Sequence, residues 1–569
     1  MEEPVLGPRK LLVAMIFVFA AVCVSAASDV YFAQNAQGSN NGQDCANAYA
    51  YNDGSNGINK SANWVAGNTL HLCGTISVSA GTNIITAQGS GSSGSPITIK
   101  FEPGAILQAP YFGTGGSAGI YLSGHNYITI DGGNTGSATA GTKWTGGLIQ
   151  NYANGSSGAN NCPGINNTYT GNCSNQANPT TVIESIGSNN ITIRNLGPCI
   201  VAVVSGGNFS NGAPGADCIH FQGSNVTITN NQLYWDGLGI DNTYYGNDTN
   251  TVISNNDFQE NGWGIGCAGP AVTNSNYQVY NNHFHNFDGW TNTGAHVNGI
   301  HCYDGSGGGI SSFYLYNNVF DGNMGSCCWT AWVYLESNGP GDNWDNNTGT
   351  VYAFNNVFVD SIGLGNGSLQ TGGGVNHLIV NNSFWGVQNG NGGKCLQWGG
   401  TGVTIENNAF IQCSQIMFAD PHSGQTPSYT AIDYNVYGSV SGGNAYWQVN
   451  SMSETNFSSW KSACNCDSRA MATNNALTGT LADITSEGVT SAGYMGIQQG
   501  INLTGTAAGE LAALAFDTGA GNTHTPVQRP GGTCSTQGTT SCWDIGAYQS
   551  ASSSGSTPAP PTGLAAVVQ

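Results

Sequence analysis

A column of polar and ionisable residues is the part of this sequence best suited to chemistry. In six strand-like segments an apolar Ile or Val is followed by a residue of this column, which is polar or ionisable in five segments and Gly in the sixth. They read TTVIES from 180, DCIHFQ from 217, LGIDNT from 238, WGIGCA from 263, NGIHCY from 298 and AWVYLES from 331. Side chains alternate along a strand, so the residue after the buried Ile or Val faces outward. The predicted outward column is Glu184, His220, Asp241, Gly266, His301 and Tyr334.

One chemistry that these residues could support is glycosidic hydrolysis. Hydrolysis needs a protonated acid and a second carboxylate, at a spacing that sets retention or inversion. Asp241 could form this pair with Asp217, Asp236 or Glu260, and a column histidine could tune their pKa values. The small Gly266 could leave space for a ligand.

The alternative chemistry is β-elimination from a uronate. A lyase needs a base and a group that neutralises the uronate carboxylate. His220 or His301 could be the base, and Asp217 with Asp241 could hold Ca²⁺. Stacked His and Asp could also simply satisfy one another across the sheet, which would be a structural role.

Aromatic and acidic residues near the column could contact a sugar, because sugar rings stack their C–H faces on aromatic rings. Inserted loops carry several tryptophans, although each could instead pack within its own loop. His283 and His285, which flank Phe284, are further candidates for a groove. The predicted substrate-binding residues are Glu184, Asp236, Glu260, Tyr334, Trp290 and Trp332.

A repeated phrase predicts the scaffold that must position these residues. A β-favouring stretch runs into Asn-Asn and then a large apolar residue, as in VTITNNQL at 226–233 and FYLYNNVF at 313–320. The first Asn or its equivalent recurs at 195, 230, 255, 281, 317, 355, 381 and 407, which indicates a period near 25 with insertions in three turns. Such a repeat is typical of a solenoid.

Each 25-residue repeat can hold three short strands and three bends, because a strand rises about 3.3 Å per residue. The apolar residue after each Asn pair should form an internal stack, and the Asn residues a ladder of amide hydrogen bonds. The predicted stack is Leu233, Phe258, Phe284, Phe320, Phe358, Phe384 and Phe410.

The coils, the Asn-Asn bends and a closing DIGAYQ at 544–549 resemble the right-handed parallel β-helix proteins of the pectate-lyase-like superfamily. The resemblance covers roughly 65–549 and predicts an all-β solenoid. It implies extracellular polysaccharide lyases and glycoside hydrolases, besides adhesins and phage tailspikes. The superfamily's lyases usually carry Arg or Lys at the site. In this chain Arg194 and Lys394 alone lie among the regular coils, and only Arg194 is expected near the column. The galacturonan-hydrolase pattern is missing.

The chain divides into five predicted regions. Residues 1–26 resemble a secretory signal peptide, with Arg9 and Lys10 before an apolar run. An N-terminal cap with first coils should span 27–110 and the β-helix 111–440. C-terminal coils and a cap should span 441–549, and a Ser/Pro linker and tail 550–569. No other membrane span is predicted, so we expect a secreted or cell-surface protein.

The net charge limits the classes of partner that this protein is expected to bind. A net charge of −21 excludes nucleic acid as an expected partner and favours neutral glycans and divalent cations. An extracellular polysaccharide is therefore the predicted partner. A non-catalytic adhesin, glycan-binding module or self-associating fibre is the rival class.

The cysteines predict a disulfide-bonded protein, because sixteen of the seventeen lie after the signal. Cys464 and Cys466 should pair elsewhere in the chain. The predicted local pairs are Cys45–Cys73, Cys162–Cys173 and Cys534–Cys542.

Overall fold

Three long sheets of mainly parallel strands make up the protein, and the chain visits them in turn. The structure is a computed structural model. It describes residues 27–133, 147–152, 180–197, 199–200, 216–234, 236–243, 247–268, 273–287, 297–303, 309–324, 331–335, 349–362, 367–386, 393–419, 426–438, 440, 446–477, 499–501 and 545–547. Each regular coil passes from sheet 3 to sheet 1 to sheet 2, and each strand pairs with its equivalent in the next coil. The predicted parallel β-helix is confirmed.

Strands of two to eight residues form all three sheets. Sheet 1 contains Asp29–Ala33, Tyr49–Ala50, Thr69–Leu72, Ile97–Phe101, Ile128–Asp131, Ile191–Arg194, Val226–Thr229, Thr249–Ser254, Thr273–Tyr280, Gly309–Ile310, Ser312–Tyr316, Thr350–Phe354, Leu378–Val380, Val403–Glu406 and Tyr429–Asp433. Sheet 2 contains Thr75–Ser77, Ile106–Ala109, Leu148–Asn151, Cys199–Ile200, Gln232–Tyr234, Asp257–Gln259, His283–His285, Val319–Asn323, Val357–Ile362, Ser383–Trp385, Ala409–Ile411, Val436–Tyr437 and Met471–Ala472. Sheet 3 contains Ile85–Thr86, Ile120–Tyr121, Thr180–Ile186, Ala216–Gln222, Leu238–Thr243, Trp263–Ala268, Asn298–Tyr303, Ala331–Leu335, Gly367–Gln370, Lys394–Trp398, Gln415–Ala419, Trp447–Val449 and Met452–Glu454.

The Asn-Asn phrase forms the bend between sheets 1 and 2. Its first Asn is left-handed, with φ of 58° at Asn230 and 55° at Asn255, a conformation that Asn tolerates better than most residues. Its second Asn is buried: the Asn256 amide donates to Asn282 Oδ1 at 3.0 Å and to the Ile228 carbonyl at 3.0 Å. The predicted amide ladder is confirmed, and its most regular part runs through the second Asn of each pair.

The predicted apolar stack is also confirmed. Phe258 lies directly opposite Leu233 and Phe284 in neighbouring strands of sheet 2. The rings of Phe258 and Phe284 stack with centroids 4.4 Å apart, and those of Phe284 and Phe320 with centroids 4.8 Å apart. All the residues of the stack are fully or almost fully buried, so this column is the centre of the core.

The C-terminal region departs from the regular coils. A helix, α1 (Phe457–Cys464), begins at Asn456, whose side chain accepts from the Ser459 N–H, and ends at a left-handed Asn465. Residues 545–547 of the closing DIGAYQ, a sequence that predicts a last strand, form a bend instead. They lie on the outer side of sheet 2, where the Ala547 N–H donates to Ser383 Oγ at 2.9 Å.

The disulfides confirm one predicted pair and correct another. Cys45 and Cys73 are bonded, as predicted. Cys464 and Cys466 pair with each other rather than elsewhere, because the turn after α1 brings their Cα atoms within 5.1 Å. Further bonds join Cys267 to Cys302 and Cys395 to Cys413, whereas the predicted pairs Cys162–Cys173 and Cys534–Cys542 lie outside the described residues.

Two further predictions concern the membrane and the domain boundaries. Within the described ranges, no helix has the length and apolarity needed to cross a membrane. The signal segment 1–26 and the tail 550–569 lie outside these ranges. The described strands of sheet 1 pair continuously from Asp29–Ala33 to Tyr429–Asp433, and the predicted domain boundaries stay predictions.

Candidate functional site

Sheet 3 brings the predicted column into register. Glu184 lies opposite His220, His220 opposite Asp241 and Asp241 opposite Gly266. The column continues through His301 and Tyr334. Residues that sequence analysis did not include extend it, namely Tyr121 at one end and Gln370 and Gln397 at the other. The alignment is as predicted, while the roles of these residues remain predictions.

Asp217, His220 and Asp241 form one cluster on sheet 3. One possible ligand atom from each residue lies within 4.8 Å of the other two. His220 Nε2 lies 3.9 Å from Asp241 Oδ2, and both side chains are partly exposed, whereas Asp217 is buried. Asp217 is the second residue of Ala216–Gln222, the strand that carries His220, and this strand pairs with the one that carries Asp241 in the next coil.

Thr243 holds the Asp241 carboxylate in place. Asp241 Oδ1 accepts from the Thr243 backbone N–H at 2.8 Å and from the Thr243 hydroxyl at 2.6 Å. These bonds fix one carboxylate oxygen and direct the other, Oδ2, towards His220. The LGIDNT sequence contained this partner two residues after Asp241, but sequence analysis did not identify it.

The predicted space beside Gly266 is filled. A Cβ atom at this position would lie 2.9 Å from Leu238 Cδ2, 3.2 Å from Thr243 Cγ2 and 3.4 Å from Trp263 Cε3. The prediction of a ligand space at this glycine is therefore wrong, because side chains of the same and the preceding coil cover it.

His301 belongs to an aromatic stack rather than to the Asp217 cluster. It is only 2% exposed. Its ring meets Trp263 edge-on at 4.2 Å and stacks on Tyr334 at 5.0 Å. A base at this position would have to be uncovered before it could reach a substrate, so the geometry favours His220 over His301.

Several predicted substrate contacts are corrected by burial. Trp332 is fully buried and packs against Phe287 and Phe320 inside the solenoid, so it cannot present a face to a sugar. Asp236 is also fully buried, and its Oδ2 accepts from the Asn261 amide at 3.3 Å.

The remaining predicted contacts differ in exposure. Glu184 is largely buried, and its Oε2 accepts from the Gly115 N–H at 2.9 Å. Glu260 is half-buried and left-handed, with φ of 53°, at the bend before Trp263–Ala268. Tyr334 is half-buried on the column, and Trp290 lies outside the described residues.

The basic residues are placed differently from the prediction. Arg194 lies on sheet 1, where its Nη2 pairs with Asp131 Oδ2 at 2.8 Å, so it is not beside the column. Lys394 is the basic residue on sheet 3, and its Nζ donates to Gln397 Oε1 at 3.0 Å. Gln397 is six strands from His220, about 29 Å at about 4.8 Å per strand.

A second cluster lies on the outer side of sheet 2. His285 Nε2 lies 2.9 Å from Asp257 Oδ1, and His283 Nε2 lies 3.2 Å from Asp321 Oδ1. Burial raises the pKa of Asp257, but the two neighbouring imidazoles and the Tyr234 hydroxyl bring it below its ordinary value. His283 and His285 therefore do not belong to the predicted groove on sheet 3. The sequence contained a signal for this position. His283 and His285 flank Phe284, and the two neighbours of an internal strand residue face outward on the same sheet.

Comparison with known proteins gives resemblances of architecture. No family model matches the chain, and no curated protein matches it. A GH136 lacto-N-biosidase from Eubacterium ramulus is similar over 72% of this chain and 67% of its own, with 13% identity and a TM-score of 0.39. Pectate lyase Pel9A is similar over 84% of this chain and 93% of its own, with 14% identity and a TM-score of 0.28. The Streptococcus pneumoniae surface protein and adhesin PfbA is similar over 73% of this chain and 90% of its own, with 10% identity and a TM-score of 0.32. These likenesses carry no information on activity.

Proposed function

We propose that this protein is an extracellular enzyme that hydrolyses a neutral polysaccharide at the outer surface of sheet 3. The observation that carries the proposal is the cluster of Asp217, His220 and Asp241, whose ligand atoms lie within 4.8 Å of one another. Two carboxylates and an imidazole at this distance are suited to proton transfer. The disulfides are compatible with an oxidising compartment outside the cell.

The spacing of the carboxylates favours one hydrolytic geometry. Inverting enzymes keep their two carboxyl groups about 6.5–9.5 Å apart to admit water, whereas retaining enzymes keep them about 5–5.5 Å apart. One oxygen of Asp217 lies within 4.8 Å of one oxygen of Asp241, which favours the shorter, retaining spacing. In the proposed reaction, Asp241 is the nucleophile, because the Thr243 N–H and hydroxyl hold one carboxylate oxygen and leave the other free to be directed at the substrate. Asp217 is as buried as His301, so in the proposed reaction it does not contact the substrate but supplies the proton through His220, which is partly exposed.

Hydrolysis of a neutral glycan is preferred to β-elimination because of charge. A uronate carboxylate needs a neutralising cation in the transition state. Among the described residues, the basic side chains of the regular coils lie on sheet 1 or about 29 Å along sheet 3. The net charge of −21 would also repel a polyuronate.

Ca²⁺ at Asp217 and Asp241 stays a prediction, and the described donor set fits it poorly. Ca²⁺ takes six to eight oxygen ligands. Asp241 Oδ1 already accepts two hydrogen bonds from Thr243, and the third member of the cluster offers an imidazole nitrogen rather than an oxygen. No step of the proposed reaction uses the ion.

The proposal is tested by incubating the secreted protein with neutral and uronic polysaccharides, with and without Ca²⁺. We expect new reducing ends from a neutral substrate, without ultraviolet absorbance from an unsaturated product. The variants D241N and H220Q should lose this activity, while D44N, an exposed carboxylate near the N-terminus, should retain it. Unsaturated products, or full activity in D241N and H220Q, would contradict the proposal.

A non-catalytic glycan-binding protein is the second candidate, and burial along the column favours it. Glu184 is engaged with a backbone N–H, and His301 is enclosed by Trp263 and Tyr334. This candidate predicts saturable binding of a polysaccharide with no product from any substrate. Such a result would replace the hydrolase by an adhesin or a binding module.

A further inference from the structure

The outer face of sheet 2 carries a second group of potential ligands that is separate from the proposed hydrolytic site. Asp257 lies in Asp257–Gln259, while His283 and His285 lie in the next strand, His283–His285. Asp257 is directly opposite His283, so the strand register holds the carboxylate against the imidazoles. None of these residues belongs to the Asp217 cluster on sheet 3.

The distances within this group suit a metal ion. His285 Nε2 and His283 Nδ1 lie 2.9 Å and 3.5 Å from the same oxygen, Asp257 Oδ1. The three ligand atoms all lie within 4.8 Å of one another. A tetrahedral ion with bonds of about 2.0–2.2 Å separates its ligand atoms by roughly 3.4 Å. The separations are therefore close to those of a metal site, although the orientation of one ring has to change for all three atoms to coordinate.

Outer partners already orient each of the three side chains. The other nitrogen of His283, Nε2, lies 3.2 Å from the acceptor Asp321 Oδ1. The other nitrogen of His285, Nδ1, lies 3.3 Å from Asn286 Nδ2, which is a donor, so metal binding through His285 Nε2 requires the proton to move to Nδ1 and the Asn286 amide to turn. The Tyr234 hydroxyl donates to the other Asp257 oxygen, Oδ2. Metal-binding histidines almost always donate the N–H of the second nitrogen to an acceptor, and Asp321 is such an acceptor for His283.

We propose that Asp257, His283 and His285 form a binding site for a divalent transition metal ion of the zinc type. Two imidazoles and one carboxylate favour such ions over Ca²⁺ or Mg²⁺, which prefer oxygen ligands. The His283 side chain is 27% exposed, so solvent or a ligand can reach a remaining coordination position.

Metal binding requires one change in the arrangement of the rings. The imidazoles of His283 and His285 stack with centroids 4.2 Å apart and an angle of 16° between their planes. Nitrogen lone pairs lie in the ring planes, so nearly parallel rings cannot both point at one ion. His283, the more exposed of the two, is the ring expected to turn.

The proposal is tested by Co²⁺ titration of the full-length protein after chelator treatment. We expect visible absorption from a Co²⁺ ion with nitrogen and oxygen ligands, its displacement by Zn²⁺, and a higher Tm with Zn²⁺. H283Q should abolish this signal. D321N, which keeps all three ligands, should weaken Co²⁺ binding by about 10–100-fold. D321N also keeps the proposal testable if H283Q folds poorly.

The matched control is H220Q, which alters the histidine of the sheet 3 cluster. H220Q should leave the Co²⁺ signal of the sheet 2 site unchanged, although it should impair hydrolysis. Absence of Co²⁺ and Zn²⁺ binding to the wild-type protein would overturn the proposal. Equal Co²⁺ affinity in wild type, H283Q and D321N would also overturn it, whatever the outcome for hydrolysis.

Discussion

Asp241 has two oxygens with different surroundings, and this difference defines its role. Oδ1 accepts from the N–H and the hydroxyl of Thr243, whereas Oδ2 faces His220 Nε2 at 3.9 Å. A carboxylate that is anchored through one oxygen can present the other in a fixed direction. Orientation of this kind is a large part of catalysis by positioned groups.

We therefore predict that D241N and T243V both lower kcat, and that D241N has the larger effect. D241N removes the reacting carboxylate and should lower kcat by at least about 100-fold. T243V removes only the hydroxyl bond and should lower kcat by roughly 10-fold with little change in KM, because the backbone bond remains. Steady-state kinetics on the substrate identified by the panel would check this. Equal kcat in T243V and wild type would show that the anchor does not matter for the reaction.

At the residue scale, sequence patterns predicted where a side chain lies on the sheet better than they predicted what surrounds it. Alternation along LGIDNT and NGIHCY placed Asp241 and His301 in one outward column, and the registers agree. Alternation says nothing about what covers an outward residue, so the enclosure of His301 by Trp263 was not predicted. Trp332 was wrongly assigned to a loop, because insertions on both sides of its short strand obscured which of its residues face the core.

At the scale of elements, the bend between sheets 1 and 2 depends on two Asn residues with different tasks. Asn255 is left-handed with φ of 55°, while the buried Asn256 is bonded on both sides. The Asn256 oxygen accepts from the N–H and the amide of Asn231, each at 3.0 Å. Its amide donates to Asn282 Oδ1 at 3.0 Å, which continues the ladder.

This difference predicts opposite tolerance at adjacent positions. N256A leaves buried donors and acceptors of the ladder without partners and should lower the free energy of unfolding by about 2–4 kcal/mol. N255G should change it by less than about 1 kcal/mol, because glycine adopts positive φ easily. Chemical denaturation of both variants provides the measurement. Similar losses in the two variants would mean that the ladder contributes no more than the turn.

His377 predicts a pH dependence of stability. Burial lowers its pKa to about 4. Its Nδ1 accepts from the Val351 N–H at 3.1 Å, and its Nε2 donates to the Gly373 carbonyl at 2.8 Å, so the neutral ring is the bonded form. In the unfolded chain the pKa is about 6.5. The unfolded state therefore takes up the proton first, and stability is lost as the pH falls from about 6.5 to about 4.

The expected loss from His377 over this range is about 3 kcal/mol. Glu406 and Asp467 act in the opposite sense, because burial raises the pKa of each to about 7 and stability falls as the pH rises towards that value. The measurement is thus a difference between wild type and H377Q, followed by denaturation from pH 7 to pH 4. Parallel curves for the two proteins would contradict the assignment.

The contacts within the sheet 2 cluster could not be predicted from the strand patterns. Asp257–Gln259 and His283–His285 are three residues long, too short for alternation to define two faces. The repeat identified their central Phe residues as internal, but the flanking His and Asp meet only through the register of separate coils. Since the steps between coils vary with inserted loops, side-by-side contacts required the structure.

At the scale of the whole molecule, the outer face of sheet 2 changes character along the solenoid. It is polar around the Asp257 cluster and apolar further on. Ile545 and Ala547 cover this later part and are themselves buried. The apolar outer residues are Val319, Val357, Val359, Ala409, Ile411 and Val436.

The period of the repeat predicted the solenoid, since 25 residues suit three strands and three bends. It did not predict that residues 545–547 would lie on an outer face. Ile545 and Ala547 have strand-like alternation, but the Gly546 N–H donates at 2.7 Å to the carbonyl of Asn407, the first Asn in the bend of an earlier coil. The alternation that suggested a last strand instead matches two apolar side chains to the apolar part of sheet 2.

This arrangement predicts that Ile545 contributes to stability from outside the solenoid. If burial of the Ile545 side chain is what holds residues 545–547 on sheet 2, I545A should lower the free energy of unfolding by about 2–5 kcal/mol. I545V, which removes a single methyl group, should lower it by about 0.5–1.5 kcal/mol. The loss should be local, so limited proteolysis should cleave the C-terminal region of I545A sooner than that of wild type, while the Phe258–Phe410 stack stays folded. Equal protease resistance in I545A and I545V would show that the hydrogen bonds of Gly546 and Ala547 suffice to hold the segment on sheet 2.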